Sequence, residues 1–241
     1  MKGGVDLPAM TGIVLVHGAW HGAWCWDGVV TALHGAGRTA VAVELPFTGA
    51  ARDQAAARDA IERAGPGVVV VGHSYGGHVI SAAAAGLDVA RLVYVAAFMT
   101  DPDDDVNALM AGSLLPAALV ITDTTMAVDP AQVPELFFGD SDPSAAAALA
   151  ARLRPMALGG APDEPAGPPA WRSVPSTYVV CTNDRALPVE SQRHMAARAD
   201  EIVEMATDHS PFTTRPDELA TLIASHVPTG IHMRSSEENG R

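Results

Sequence analysis

The chain has 241 residues, 48% hydrophobic and 18% charged, with a formal net charge of −13. That length suits a single α/β domain with a substantial core, and the acidity repels phosphate backbones and anionic lipid, so no nucleic acid and no membrane are expected as partners. No apolar run approaches the roughly 20 residues of a membrane span. Met1 to Asp6 carries no apolar leader, and Cys25 and Cys181 stand far apart outside any C-x-x-C pair or His–Cys cluster. The expectations are a cytoplasmic protein with reduced thiols and neither a metal nor a cofactor.

Gly12 to His17 (Gly-Ile-Val-Leu-Val-His) reads as a buried strand running into Gly18-Ala19-Trp20-His21-Gly22-Ala23-Trp24. A small-residue loop at the carboxyl end of a strand is where parallel α/β sheets place ligands. The backbone N–H of Ala19 is a candidate oxyanion donor, and Gly18, Trp20, His21 and Trp24 are candidate pocket residues. Trp24 and Trp26 serve equally well as core residues opening the next helix. His17, at the strand end, is expected to brace the loop through a hydrogen bond. Asp27 to His34 follows as a short helix stopped by Gly35 and Gly37, then Thr39 to Glu44 as a strand, then Ala50 to Ala64 as a helix halted by Gly65-Pro66-Gly67.

The chain is built around Val68-Val-Val-Val-Gly-His-Ser-Tyr-Gly-Gly77. Four β-branched residues make a strand, Gly72-His73-Ser74-Tyr75-Gly76 has the Gly-x-Ser-x-Gly spacing, and the Ala-rich run from His78 to Ala85 reads as a helix. The bare five-residue pattern is weak, but a strand before it and a helix after it make it specific. A sharp strand-to-helix turn brings the two backbones so close that side chains at Gly72 and Gly76 would clash. The same turn lifts the Ser74 hydroxyl above the sheet edge and leaves the Tyr75 N–H, near a helix N-terminus, as the other oxyanion donor.

Arg91 to Ala97 supplies a further buried strand. From Asp101 to about Pro169 no strand period is visible: an acidic run, mixed helical pieces, and four prolines between Pro162 and Pro169. This stretch is expected to be a helical cap over the strand ends, laying Leu114, Leu115, Leu119, Phe137, Phe138 and Met156 above Ser74. The core resumes with the strand Ser176 to Thr182, the helix Pro188 to Ala199, the strand Glu201 to Met205 and the helix Arg215 to Val227. Alternating strands and helices predict a mostly parallel sheet with helices on both faces. One domain is expected, with a core over 1–100 and 170–228, a cap over 101–169 and a disordered tail over 229–241, as a monomer or a homodimer.

A serine hydroxyl is a poor nucleophile at neutral pH and needs a base, and the base needs a partner to orient it. Ser74, Asp184 and His209 each follow a predicted strand at its carboxyl end, in the chain order serine, acid, histidine. His209 is expected to take the Ser74 proton and return it to the leaving alkoxide, while Asp184 holds the ring in the right tautomer. Asp101, which follows the preceding strand, is the rival acid. Asp208 is a poor one, because consecutive side chains on an extended loop diverge. His73 is expected to be structural, and His21 a pocket or loop-packing residue rather than a base.

With these residues assembled, the sequence resembles the α/β-hydrolase superfamily, and more narrowly the branch containing plant methyl-ester esterases, salicylate-binding esterases and hydroxynitrile lyases, along with bacterial esterases. The motifs that carry the resemblance run from Val16-His17-Gly18-Ala19-Trp20-His21-Gly22-Ala23-Trp24 and Gly72-His73-Ser74-Tyr75-Gly76-Gly77 through Leu136-Phe137-Phe138, Asp142-Pro143 and Leu153-Arg154-Pro155. They end with Asp184-Arg185-Ala186-Leu187-Pro188 and His209-Ser210-Pro211-Phe212. The resemblance implies an esterase-type serine triad and a small helical cap. Hydroxynitrile lyases of that branch usually carry Thr or Asn at the loop glycine, and the S-selective ones a Lys after the histidine; here those positions are Gly18 and Ser210. The expected activity is hydrolysis of small to medium neutral carboxylic esters through an acyl-enzyme. A non-hydrolytic lyase or elimination enzyme on the same residues, and a binding protein that lost turnover, are the alternatives.

Overall fold

Short β-branched runs bounded by Gly or Pro form a buried sheet, because such residues pack well on a pleated surface and lose little by being held extended. In a computed structural model the described residues are 12–158 and 167–228. Residues 1–11, most of the four-proline stretch and the tail from 229 to 241, on which the sequence carried expectations, lie outside them. Strands β1 (Ile13–Val16), β2 (Ala40–Val43), β3 (Val68–His73), β4 (Val89–Val95), β8 (Ser176–Cys181) and β9 (Glu201–Met205) form one sheet in the order β2-β1-β3-β4-β8-β9, and every pairing is parallel. The chain runs outward from β1 to β2 and then returns to the other side of β1 for β3. That reversal opens a crevice at the carboxyl ends of β1 and β3, the place where open α/β sheets take ligands.

Helices cover both faces, as the alternation predicts. Helices α1 (Asp27–Gly35) and α8 (Pro216–Ser225) bury Val29, Leu33, Leu219 and Ile223 against one face. Helices α2 (Ala50–Ala64), α3 (Tyr75–Ala83) and α7 (Val189–Ala196) bury Ala57, Ile61, Val79, Ile80 and Met195 against the other. Trp26 is wholly buried in a 3-10 turn leading into α1.

The segment between β4 and β8 departs from the sequence reading. It holds the short helices α4 (Val106–Leu109), α5 (Val133–Phe137) and α6 (Pro143–Ala150), and also a three-stranded antiparallel sheet of β5 (Leu119–Ile121), β6 (Thr125–Val128) and β7 (Met156–Ala157). Strands of three, four and two residues are too short for an alternating pattern to register. Among the expected cover residues, Phe137 and Phe138 are buried, whereas Leu114 is 49% exposed. Trp20, Phe137, Phe138, Ala118, Val128, Val133 and Ala146 form a third apolar cluster that seats this cap on the crevice.

Candidate active site

The crest of the β3–α3 turn is shaped by backbone contact. Ser74 sits at φ 51°, ψ −121°, a strained conformation for a residue with a side chain. A Cβ at Gly72 would meet the Gly76 carbonyl oxygen at 2.6 Å, and one at Gly76 would meet the Val16 carbonyl oxygen at 2.6 Å, so both positions exclude any side chain. The strain is held by hydrogen bonds: Ser74 N–H donates to Val95 O, and Ser74 O accepts from Gly77 N–H and Phe98 N–H. Ser74 stays partly accessible, although its neighbours Gly72 and His73 are buried. Tyr75 opens α3, and its hydroxyl donates to Asp53 Oδ2 at 2.9 Å. Asp53 Oδ1 accepts the Phe47 N–H at 2.8 Å, and burial raises the pKa of this carboxyl.

The acid and the imidazole meet. His209 Nδ1 lies 2.7 Å from Asp184 Oδ2, with both side chains almost fully buried. Asp184 Oδ1 accepts the N–H groups of Ala186 and Leu187 at 2.8 and 2.9 Å, and Oδ2 also accepts from Gln192 Nε2 at 2.7 Å. Four donors converge on one carboxylate, which fixes its plane. Asp101 is elsewhere, paired with Arg172. Asp208, as expected, does not orient the ring. Its Oδ1 accepts Ser210 N–H and its Oδ2 accepts Asp140 N–H, while Asp208 N–H donates to Asp140 Oδ2, a reciprocal pair joining the His209 loop to the cap. His73 Nε2 donates to the His209 carbonyl at 2.8 Å, and the two rings lie 4.6 Å apart. The His209 loop is thereby tied directly to the residue before Ser74.

The loop after β1 is held by its carbonyls. His17 Nδ1 donates to Gly18 O, His21 Nδ1 to Ala19 O, Arg154 N–H to Trp20 O, Arg154 Nε to His21 O, and Cys25 N–H to Gly22 O. Because a trans peptide points its N–H opposite its C=O, the His17 bond to Gly18 O also sets the direction of the Ala19 N–H. His17 Nε2 in turn accepts Leu45 N–H at 3.0 Å, so the ring is a neutral brace, as the sequence suggested. Burial pushes His17 down to about 4 and His21 down to about 3, in each case partly offset by the backbone bond. A Cβ on Gly18 would lie 2.8 Å from Ser74 Cβ and 2.7 Å from His73 Nδ1, so this loop presses directly on the turn.

Of the candidate pocket residues, Trp20 is 7% exposed, sits at φ 63°, stacks on Phe137 and donates its Nε1–H to Met126 O in the cap. His21 is packed among Trp24, His73, Phe137, Phe138 and Phe212, so it is a loop-packing residue. Trp24 stands behind it, with the Arg152 guanidinium 4.3 Å over its ring. Phe137 approaches the His209 ring to 5.5 Å from the cap side. A cavity of about 560 Å³ at the seam between the cap and the Asn183–Arg185 loop is lined by Phe138, Asp140 and Asp208, and Ser74 and His209 are not among its lining residues. The sequence reading missed Gln192 altogether. It is fully buried and joins Asp184 to the Cys181 N–H, yet on a helix reading Val-Glu-Ser-Gln-Arg-His nothing marks it off from a solvent-facing glutamine.

The chain is similar to known proteins along nearly its whole length. Over 92% of this chain and 98% of its own length, an α/β hydrolase, nvfD, of Aspergillus novofumigatus is 29% identical. Methyl jasmonate esterase 1 of Vitis vinifera is 26% identical over 89% of this chain and 95% of its own. The crystal structure of tomato methylketone synthase I with 2-tridecanone superposes with a TM-score of 0.76 at 23% identity, covering 90% of this chain and 97% of that one, and so shares the fold. The sequence profile of the alpha/beta hydrolase family matches residues 13–222, and the chain belongs to that family.

Proposed function

We propose that this chain is a serine carboxylic-ester hydrolase acting on small to medium neutral esters, with Ser74 as nucleophile, His209 as general base and acid, and Asp184 as the carboxylate that orients the imidazole. The Ser74 hydroxyl attacks the ester carbonyl carbon while its proton passes to His209 Nε2. Asp184 Oδ2 stabilises the imidazolium through Nδ1–H, and the oxyanion takes the N–H groups of Ala19 and Tyr75. Collapse breaks the bond to the alcohol, which leaves with the proton from His209. Water, deprotonated by the same ring, then releases the acid and regenerates Ser74.

The observation that carries this reading is the 2.7 Å bond between His209 and Asp184, in a loop whose own carbonyl is bonded to the residue beside the strained Ser74. Esterases among the curated relatives favour the same reaction class. Gly18 favours hydrolysis over cyanohydrin cleavage. The Thr or Asn that the resemblance ties to the lyases would put a Cβ 2.8 Å from that of Ser74, leaving no room without moving the nucleophile.

The test is a fluorophosphonate label followed by peptide mass mapping, together with turnover of a p-nitrophenyl ester panel by wild type and Ser74→Ala. The expected result is a single adduct on Ser74 and a turnover loss of roughly 10⁴-fold or more in the variant. Full activity in Ser74→Ala, or a label on another residue, removes the reading.

A further inference from the structure

Arg154 belongs to the cap, two residues before β7, yet among the described residues its side chain makes no polar contact with the cap. Its Nε donates to the His21 carbonyl at 3.3 Å, its Nη2 donates to the Leu45 carbonyl at 2.6 Å and pairs with Glu44 Oε1, and its guanidinium stands 4.6 Å over the Phe47 ring. Its backbone N–H meets the Trp20 carbonyl at 2.9 Å. Glu44 continues the strap, since its Oε2 accepts the Ala23 N–H at 2.8 Å. The residue thus gathers the loop between Gly18 and Ala23 and the carboxyl end of β2 onto one planar group.

This matters because that loop does not rest in a relaxed conformation. Trp20 is in the left-handed region at φ 63°, a conformation that a residue with a side chain keeps only where its surroundings impose it. The carbonyls on either side of the Trp20–His21 step are the ones Arg154 engages, through its backbone at Trp20 and its side chain at His21. A lysine would keep the charge and the Glu44 pair but could not span two carbonyls in one plane. A loop freed at His21 relaxes at Trp20, and the Gly18–Ala19 peptide is only two peptides upstream.

We propose that Arg154 is a positioning residue for the oxyanion donor: by clamping the His21 and Leu45 carbonyls and Glu44, it holds the loop in the register that turns the Ala19 N–H toward the Ser74 reaction centre. The inference rests on the serine-hydrolase reading above. It assigns the cap a part in transition-state stabilisation through a residue that touches no substrate atom.

The test compares wild type, Arg154→Lys and Arg154→Met for kcat, for KM, and for affinity toward an alkyl boronic acid. The boronic acid bonds to Ser74 Oγ as the hydroxyl proton passes to His209, leaving an anionic tetrahedral boron with one oxygen in the oxyanion position. Binding of the product carboxylic acid serves as a ground-state control. Expected is a kcat loss of about 10- to 100-fold in both variants with KM within about twofold, a matching loss of boronate affinity, and unchanged product affinity. A fall in kcat with boronate affinity intact, or wild-type values for both, overturns the assignment. So does a loss that vanishes once rates are scaled to the folded fraction. Should Arg154→Met not fold, Arg154→Lys and Glu44→Gln carry the same comparison. Failure of the underlying reading looks different: the wild-type protein itself would then bind no boronate and take no fluorophosphonate on Ser74.

Discussion

The turn at Ser74 and the cap above it are built by opposite means. At the turn, glycines at 72 and 76 let backbones touch, parallel strand register fixes the direction, and no side chain is needed to hold Ser74 where it stands. The cap is joined to the core by side chains reaching far along the chain: Trp20 to Met126, Arg154 to His21 and Leu45, Asp140 and Asp208 to one another's amides. Hard-sphere contact is insensitive to pH and gives way only to added atoms. The hydrogen bonds of the seam respond to protonation and to the loss of single groups. Ser74 is therefore expected to be the rigid half of the site, and the loop from Gly18 to Ala23 and the His209 ring the adjustable half.

Acid is the strongest way to separate the two. His17 and His21 titrate at about 4 and about 3 in the folded chain, against 6.5 as the ordinary value, because burial disfavours the charged ring. A depressed folded value means stability is complete above about 6.5 and is lost as the pH falls toward 4 and 3. Between pH 7.5 and 5 each ring should withdraw about 2 kcal/mol. His73, buried at the end of β3 and held well below 6.5 by the same cause, adds to the loss, so urea midpoints at the two pH values check the total of the three rings. Hydrogen exchange should show residues 18–24 losing protection before β3 and α3, and the reverse order breaks the comparison.

Next in size is Gly76→Ala. Its methyl would lie 2.6 Å from the Val16 carbonyl oxygen and 2.7 Å from that of His17. Backbone atoms cannot swing aside, so a stability loss of about 3 kcal/mol is expected in equilibrium unfolding. Gly35→Ala, with nothing within 4 Å of the added Cβ, is the control and should be near neutral or slightly stabilising. Equal effects at the two positions would mean that the turn is not governed by contact.

The smallest expected effect is on the cap side. Asp140→Ala removes the acceptor for Asp208 N–H and Asn183 Nδ2. A loss of about 1 kcal/mol is expected, together with faster exchange of the Asp208 amide while the β3 amides stay protected. An unchanged Asp208 amide would show that the His209 loop is held by His73 and Asp184 alone.

How much could be read in advance follows the same division. β3 and the Gly-x-Ser-x-Gly turn were visible because every residue that makes them is local: four valines, two obligatory glycines, a serine between. Asp184 and His209 were visible because a parallel sheet puts its loops at one edge, so strand ends in the right order nominate the side chains. The Leu119–Ile121 and Thr125–Val128 hairpin went unseen, since strands this short carry no period and take their register from the cap that surrounds them. Leu114 was assigned to the cover over Ser74 by its apolarity, but the chain at that point faces solvent. Gln192 and Arg154 have ordinary polar side chains whose importance lies in partners up to 133 residues away.

The amino-acid sequence by itself determined the strand and helix alternation, the strained serine turn and the strand-end positions of Asp184 and His209, because each depends on steric rules and spacings written within a few residues. Only the tertiary structure decided that Asp184 rather than Asp101 meets His209, that Gln192 joins Asp184 to β8, and that Arg154 closes on the loop from Gly18 to Ala23. Those are choices among hydrogen-bond partners equal in chemistry and far apart in the chain, and only packing brings one of each set within reach.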